Sequence, residues 1–148
     1  LASGYPISAV LFREELGSWP PGAHGTTFGG QAVAAAAAHA TLDLLEGGLQ
    51  ENAARLGEFL LAELRALKRR FPFLGDVRGR GLMIGLDFGD PDHPQPDLRD
   101  KAVRLAFEKG LLLLPAGPSA LRIAPPLVLT QEEAALGLEI LEEVFRAL

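Results

Sequence analysis

Between Gln50 and Arg70 the apolar residues Ala53, Leu56, Leu60, Leu64 and Leu67 recur at steps of three and four, with no proline in the run. That spacing predicts a helix with one continuous apolar stripe, and such a stripe has to be buried against another layer. The residues that follow supply the layer. A strand is predicted over 81–88, after a loop containing Gly75, Gly79 and Gly81, and Gly89 to Pro96 reads as an exposed connection. Asp97 is the expected N-cap of a helix running to Lys109, where Gly110 stops it. Short strands are expected over 111–114 and 121–124, around the turn formed by Pro115, Ala116, Gly117 and Pro118. Thr130 with Glu133 three residues on forms a capping box, and Ala134, Leu138, Leu141, Phe145 and Leu148 form the stripe of the last helix.

From about Gly47 onward, helix, strand, helix, two strands and helix make a complete α+β unit. The preceding residues differ in character. Ile7 to Phe12 is a short apolar run predicted to be a buried strand, yet the sequence offers it no obvious partner. Trp19 to Gly22 is a turn, and the alanine-rich stretch from Gln31 to Leu45 favours helix until Gly47 and Gly48 end it. Two segments are therefore expected, residues 1–46 and residues 47–148.

Composition narrows the function classes. There is no cysteine, which excludes disulfides, thiolate catalysis and cysteine-ligated metals and matches a cytoplasmic protein. The net charge is −5 with bases and acids interleaved, so nucleic acid is not an expected partner. The basic cluster of Lys68, Arg69 and Arg70 falls where a helix should end, and the helix dipole favours cations there. Apolar runs are too short to span a bilayer and no secretory signal is expected at the N-terminus, so membranes are set aside.

Residues 24–30 combine glycines at 25, 29 and 30 with the hydroxyls of Thr26 and Thr27, directly before a predicted helix. Flexible backbone, hydroxyl donors and a helix N-terminus are the ingredients of a phosphate site. They are equally those of an ordinary glycine-rich turn, and the residues alone favour the turn. Arg122, on a predicted strand before Pro125, suits two-pronged recognition of a carboxylate. A surface arginine is the alternative, weakened by the apolar neighbours Leu121 and Ile123. Arg78 and Arg80 are expected to pair locally, and Asp76 has no catalytic role. His24 and His39 lack a ligand-spaced partner, so no metal site is expected. Lys68, Lys101 and Lys109 read as solvated helix lysines.

Several segments in order resemble the class-III, fold-type-I pyridoxal-phosphate aminotransferases. They are residues 1–8, residues 23–30, residues 75–85 from Gly75 to Gly85, and the Arg122 to Leu127 element. The family carries His-Gly-Ser/Thr-Thr-aromatic-Gly-Gly-Asn-Pro, which this chain matches through Gly30 and leaves at Gln31 and Ala32.

The resemblance implies an α/β fold in which residues 1–46 end the large cofactor-binding domain and residues 47–148 form the small α+β domain. It implies that Thr26 and Thr27 contact the phosphate of pyridoxal 5'-phosphate across a homodimer interface. It also implies that Arg122 pairs with an active-site glutamate or receives a substrate carboxylate. The Schiff-base lysine is expected just upstream of Leu1, leaving no catalytic residue in this chain. The implied activity moves an amino group from a donor such as 4-aminobutyrate or ornithine to a 2-oxo acid. A same-fold amino-acid racemase is the alternative. If 148 residues is the full length, a non-catalytic phosphate-binding or dimerisation domain is a further one, as is a remnant stable only in association.

Overall fold

A computed structural model describes residues 1–17 and 19–148. It divides into two compact units, Leu1–Gly48 and Leu49–Leu148. In the first, the regular elements are a single turn of 3₁₀ helix at Glu14–Leu16 and the helix α1, Ala32–Leu44. Alanine dominates α1 because it loses no side-chain entropy on entering a helix. Beyond it a π-type turn runs over Leu45–Leu49, and Gly48 breaks the helix at φ 123°. Ser3 and Thr41 share a side-chain hydrogen bond of 3.1 Å, which ties the start of the chain to α1.

The strand expected over 7–12 does not form. Ile7 is half-buried, residues 8–12 are exposed, and none of them is paired in a sheet. An apolar run becomes a strand only when a ladder satisfies its amides, and this unit supplies no neighbouring strand. Val10 and Leu11 are 80% and 97% exposed, so their apolar character is not spent on a core within this unit.

The second unit is a four-stranded antiparallel sheet with three helices. In chain order its elements are α2 (Gln50–Arg70), β1 (Leu74–Arg80), β2 (Met83–Phe88), α3 (Pro96–Glu108), β3 (Leu114–Ala116), β4 (Ala120–Ile123) and α4 (Gln131–Arg146). The strands lie in the order β1-β2-β4-β3. Leu56, Leu60, Leu64 and Leu67 of α2 are buried as their spacing requires, against Val77, Ile84, Leu86, Phe88 and Leu121 of the sheet. Ala102 and Ala106 of α3 and Ala134, Leu141, Val144 and Phe145 of α4 complete that core. Each fully buried leucine contributes about 1.5–3 kcal/mol. Phe71, Phe73, Phe88 and Phe145 form an aromatic cluster, with the Phe71 and Phe145 ring centres 5.6 Å apart.

Three expectations shift. The glycine-bearing stretch read as a loop is the edge strand β1, which meets β2 in a hairpin. Gly75 sits at a register irregularity where a Cβ would fall 1.6 Å from the carbonyl oxygen of Gly89, so glycine marks a close strand crossing here, not a loop. Asp97 lies in the first turn of α3 and is not its cap. Pro96 opens the helix, where its missing N–H leaves no bond unmade, and Gln95 holds the cap position. Finally, β3 starts at Leu114 and includes Pro115, which is tolerated because β3 is a sheet edge.

The capping box at Thr130 forms as expected. Thr130 Oγ1 accepts from the Glu133 amide at 3.2 Å, and Glu133 Oε2 accepts from the Thr130 amide at 2.9 Å.

Candidate functional site

The segment ahead of α1 forms an open concavity lined by Ser8, His24, Thr26, Phe28, Gly29 and Gly30. A tight turn leads into it, closed by the bond from the Ala23 amide to the Pro20 carbonyl at 3.0 Å, with Gly22 at φ 84°. The Trp19 ring meets His24 edge-on at 5.4 Å and stacks with Phe12 at 6.3 Å, which holds His24 at the rim. Next, the Gly29 amide donates to the Thr26 carbonyl at 3.3 Å, folding Thr26 back over the glycines. A Cβ on Gly29 would lie 2.7 Å from Thr26 Cγ2, so the space beside Thr26 exists only because residue 29 is glycine. Gly30 then turns the chain into α1 with φ 73°.

No side chain caps the start of α1, so its first amides have neither an intrahelical nor a side-chain acceptor. The donor set is thus hydroxyls and amides with no acid among the lining residues, and it fits a phosphate. Both threonines are exposed; Thr26 lines the concavity and Thr27 follows it in the chain.

In the second unit, Arg122 projects from β4. Leu121 is wholly buried and successive strand residues face opposite sides, so Arg122 lies on the face away from the core. Its register partners are Gly85 on β2 and Leu114 on β3. Among the described residues no acid pairs with it.

Arg78, on the same face, is fully engaged. It bonds Asp87 through both guanidinium nitrogens, one at 3.0 Å, and Asp76 at 3.1 Å. The hydrogen bond from Asp87, then that from Asp76, pushes the Arg78 guanidinium further up from its already high value. The local pairing expected of Arg78 is observed, and Asp76 serves as its partner.

Of the three lysines, Lys109 is exposed as expected, whereas Lys68 and Lys101 are half-buried. Lys101 Nζ donates to the carbonyls of Ala147 at 3.3 Å and Leu148 at 3.2 Å, just beyond the last turn of α4. Lys109 bonds Glu143 at 2.7 Å, and Lys68 is half-buried on α2. His39 is exposed on α1, and His93 bonds Asp90 in the exposed connection.

One residue went unnoticed in the sequence. Arg99 is 7% exposed and inserts beneath the β3–β4 hairpin. Its spacing with Ala102 and Ala106, three and seven residues on, is the signal that places it on the buried face of α3.

A family model for class-III aminotransferases matches residues 1–145. An alanine/serine racemase from Pyrococcus horikoshii is 41% identical over 99% of the chain and 32% of its own length. An acetylornithine aminotransferase from Gloeobacter violaceus is 43% identical over 100% of the chain and 36% of its own length. Among solved structures, the acetylornithine aminotransferase of Elizabethkingia anophelis superposes with a TM-score of 0.78 at 33% identity, over 88% of this chain and 34% of that one. The chain spans about a third of the length of the curated relatives it matches. No described helix is long and apolar enough to cross a membrane.

Proposed function

The chain belongs to the class-III aminotransferase family, with the fold-type-I α/β architecture, and from that premise we propose that it is the C-terminal part of an enzyme transferring an amino group from an ω-amino acid to a 2-oxo acid. The cofactor of this family is pyridoxal 5'-phosphate. When bound, that group supplies the electron sink that lets a bond at the substrate's Cα break. The observation that carries the reading is the acid-free cradle of hydroxyls and amides at Thr26–Gly30, uncapped at the head of α1.

In this reading the hydroxyls of Thr26 and Thr27 hold the phosphate, and the positive end of α1 offsets its charge. Arg122 receives the substrate carboxylate through two parallel hydrogen bonds, and so orients the amino group at the far end of the donor. The freedom of Arg122 from any described acid supports that role, since a neutralised arginine such as Arg78 has no charge to offer. Residues 1–46 would end the large domain and residues 47–148 form the small one; the division at Gly48 supports this.

A homodimer in which Thr26 and Thr27 serve the partner's phosphate is carried over from the family resemblance; the exposed Val10, Leu11, Phe12, Leu16 and Phe28 leave apolar surface for the rest of the large domain or a second subunit to cover. The lysine that holds the cofactor is assigned outside this stretch, because Lys101 and Lys109 are committed to other groups and Lys68 lies on α2. An absence of cysteine accords with a cytoplasmic enzyme. Donors such as 4-aminobutyrate and ornithine fit the proposed carboxylate site.

A racemase is the second reading, favoured by the alanine/serine racemase relative. One experiment separates the readings: the intact polypeptide is supplied with cofactor and an amino acid, with and without a 2-oxo acid. Amino transfer that requires the 2-oxo acid is the expected result. Enantiomer interconversion without it would establish the racemase instead. Neither activity, together with no pyridoxyl-labelled lysine after borohydride reduction, would leave only a non-catalytic domain.

A further inference from the structure

We propose that Arg99 is a positioning residue that fixes the tip of the β3–β4 hairpin, two residues from Arg122, and so governs how Arg122 is placed to recognise a substrate carboxylate. The inference rests on the reading of Arg122 as the carboxylate group.

A guanidinium as buried as this one requires hydrogen-bond partners, since an unpaired charge would be strongly destabilising there. Arg99 Nε donates to Asp100 Oδ1 at 2.6 Å. Its Nη1 donates to the carbonyl of Ala120 at 3.0 Å and makes a longer contact of 3.5 Å to that of Ala116. Ala116 and Ala120 are register partners on either side of the turn that joins β3 to β4. One group from α3 therefore grips both strands of the hairpin at its tip. The grip has a firm base, because Ala102 and Ala106 of the same helix are wholly buried.

The hairpin needs such a tie. β3 has three residues, and its middle one, Pro115, has no amide to give. So short a ladder specifies its register weakly. A shift of β3 along β4 would change which residue of β3 stands beside Arg122, now Leu114, while the outward facing of β4 itself is held by its four register pairs with β2. The tie at Ala120 acts two residues before Arg122, on the same strand face. It is reinforced on the other side by the Phe88 amide, which donates to the Ser119 carbonyl at 3.0 Å. Arginine suits the task because its planar fork reaches several acceptors at once, whereas an ammonium is a point donor.

The test is a double-mutant cycle on the intact enzyme, comparing a substrate bearing the remote carboxylate with a matched amine lacking it. Arg99→Met should raise KM for the carboxylate substrate about tenfold, the loss of roughly one charge-assisted hydrogen bond. It should leave kcat and the plain amine nearly unchanged. Combined with Arg122→Ala, it should add nothing further. Arg99→Lys should move KM in the same direction by less, and it keeps the proposal testable if Arg99→Met does not fold. Equal effects on the two substrates, additivity in the double variant, or an unchanged KM in Arg99→Lys would each overturn it. If Arg122→Ala alone leaves KM unchanged, the carboxylate reading of Arg122 fails and this inference fails with it. That outcome is distinct from a silent Arg99 beside an effective Arg122.

Discussion

Arg122 and Arg78 occupy one cross-strand row, each the register partner of Gly85 on β2. Gly85 has no side chain to part them, and a Cβ there would stand 4.0 Å from Arg78 Nη2. Their surroundings nevertheless differ completely. Asp76 and Asp87 pair with Arg78, while no described acid comes within ion-pairing distance of Arg122. Two arginines on one face are therefore differently engaged, one knitting β1 to β2 and the other in no described ion pair.

Arg122→Ala is accordingly expected to raise KM for a carboxylate-bearing substrate by about tenfold or more, consistent with roughly 1.5–3 kcal/mol for a charged hydrogen bond. A plain amine should be little affected. Steady-state kinetics on the intact enzyme check this, and equal losses for both substrates would mark the arginine as structural. Arg78→Ala should instead lower stability with little change in substrate preference.

Cofactor retention tests the cradle before α1. Thr26→Ala and Thr27→Ala should each weaken pyridoxal-phosphate binding, by about 1.5–3 kcal/mol per lost hydrogen bond to the charged phosphate. Gly29→Ala should do the same without removing any hydroxyl, because its methyl would displace Thr26 Cγ2 from 2.7 Å away. Equilibrium dialysis of the cofactor gives the answer, and unchanged affinity in all three would remove the phosphate role.

Two helix glycines should respond to alanine with opposite signs. At Gly57 of α2 a Cβ would meet the Gly81 carbonyl oxygen at 2.3 Å, and backbone cannot swing aside. Gly57→Ala is expected to destabilise by about 1–3 kcal/mol despite the gain in helix propensity. At Gly137 of α4 the nearest atom is Leu111 Cδ1 at 3.9 Å, an ordinary contact at the edge of an apolar cavity. Gly137→Ala should therefore stabilise by about 1 kcal/mol. Urea midpoints of the two variants measure both effects.

The pH dependence of stability has an identifiable contributor in Glu142, which pairs with Arg70 at 2.6 Å and with Arg146. The hydrogen bond from Arg70, aided by the charges of Arg146 and Arg70, holds its carboxyl below the ordinary value of 4.5. A depressed carboxylate stabilises the fold above its unfolded pKa, and that contribution disappears as pH falls through the folded value. Glu142→Gln should thus lower the urea midpoint at neutral pH, and the gap from the parent should close below pH 4.5. Added salt should narrow the same gap, since the pair is partly exposed. A gap independent of pH would assign the effect to packing.

What was legible in the sequence was local. The bounds of α2, the alanine helix before it, and the capping box at Thr130 each depend on residues within one element, where propensity, periodicity and caps act over three or four positions. The motif-bearing segments were legible for a similar reason, since Thr26 to Gly30 and Arg122 to Leu127 are each contiguous. Pairing between distant residues was decided only by the tertiary structure. Gly75 and Gly79 looked like loop residues until β2 came alongside, and residues 7–12 looked like a strand that no neighbour then completed. The contrast between Arg78 and Arg122 depends on the acids that register brings to each. Burial of Arg99 depends on two carbonyls, 17 and 21 residues further along the chain, meeting over one helix. Register and burial are properties of contacts between elements, and periodicity within one element determines neither.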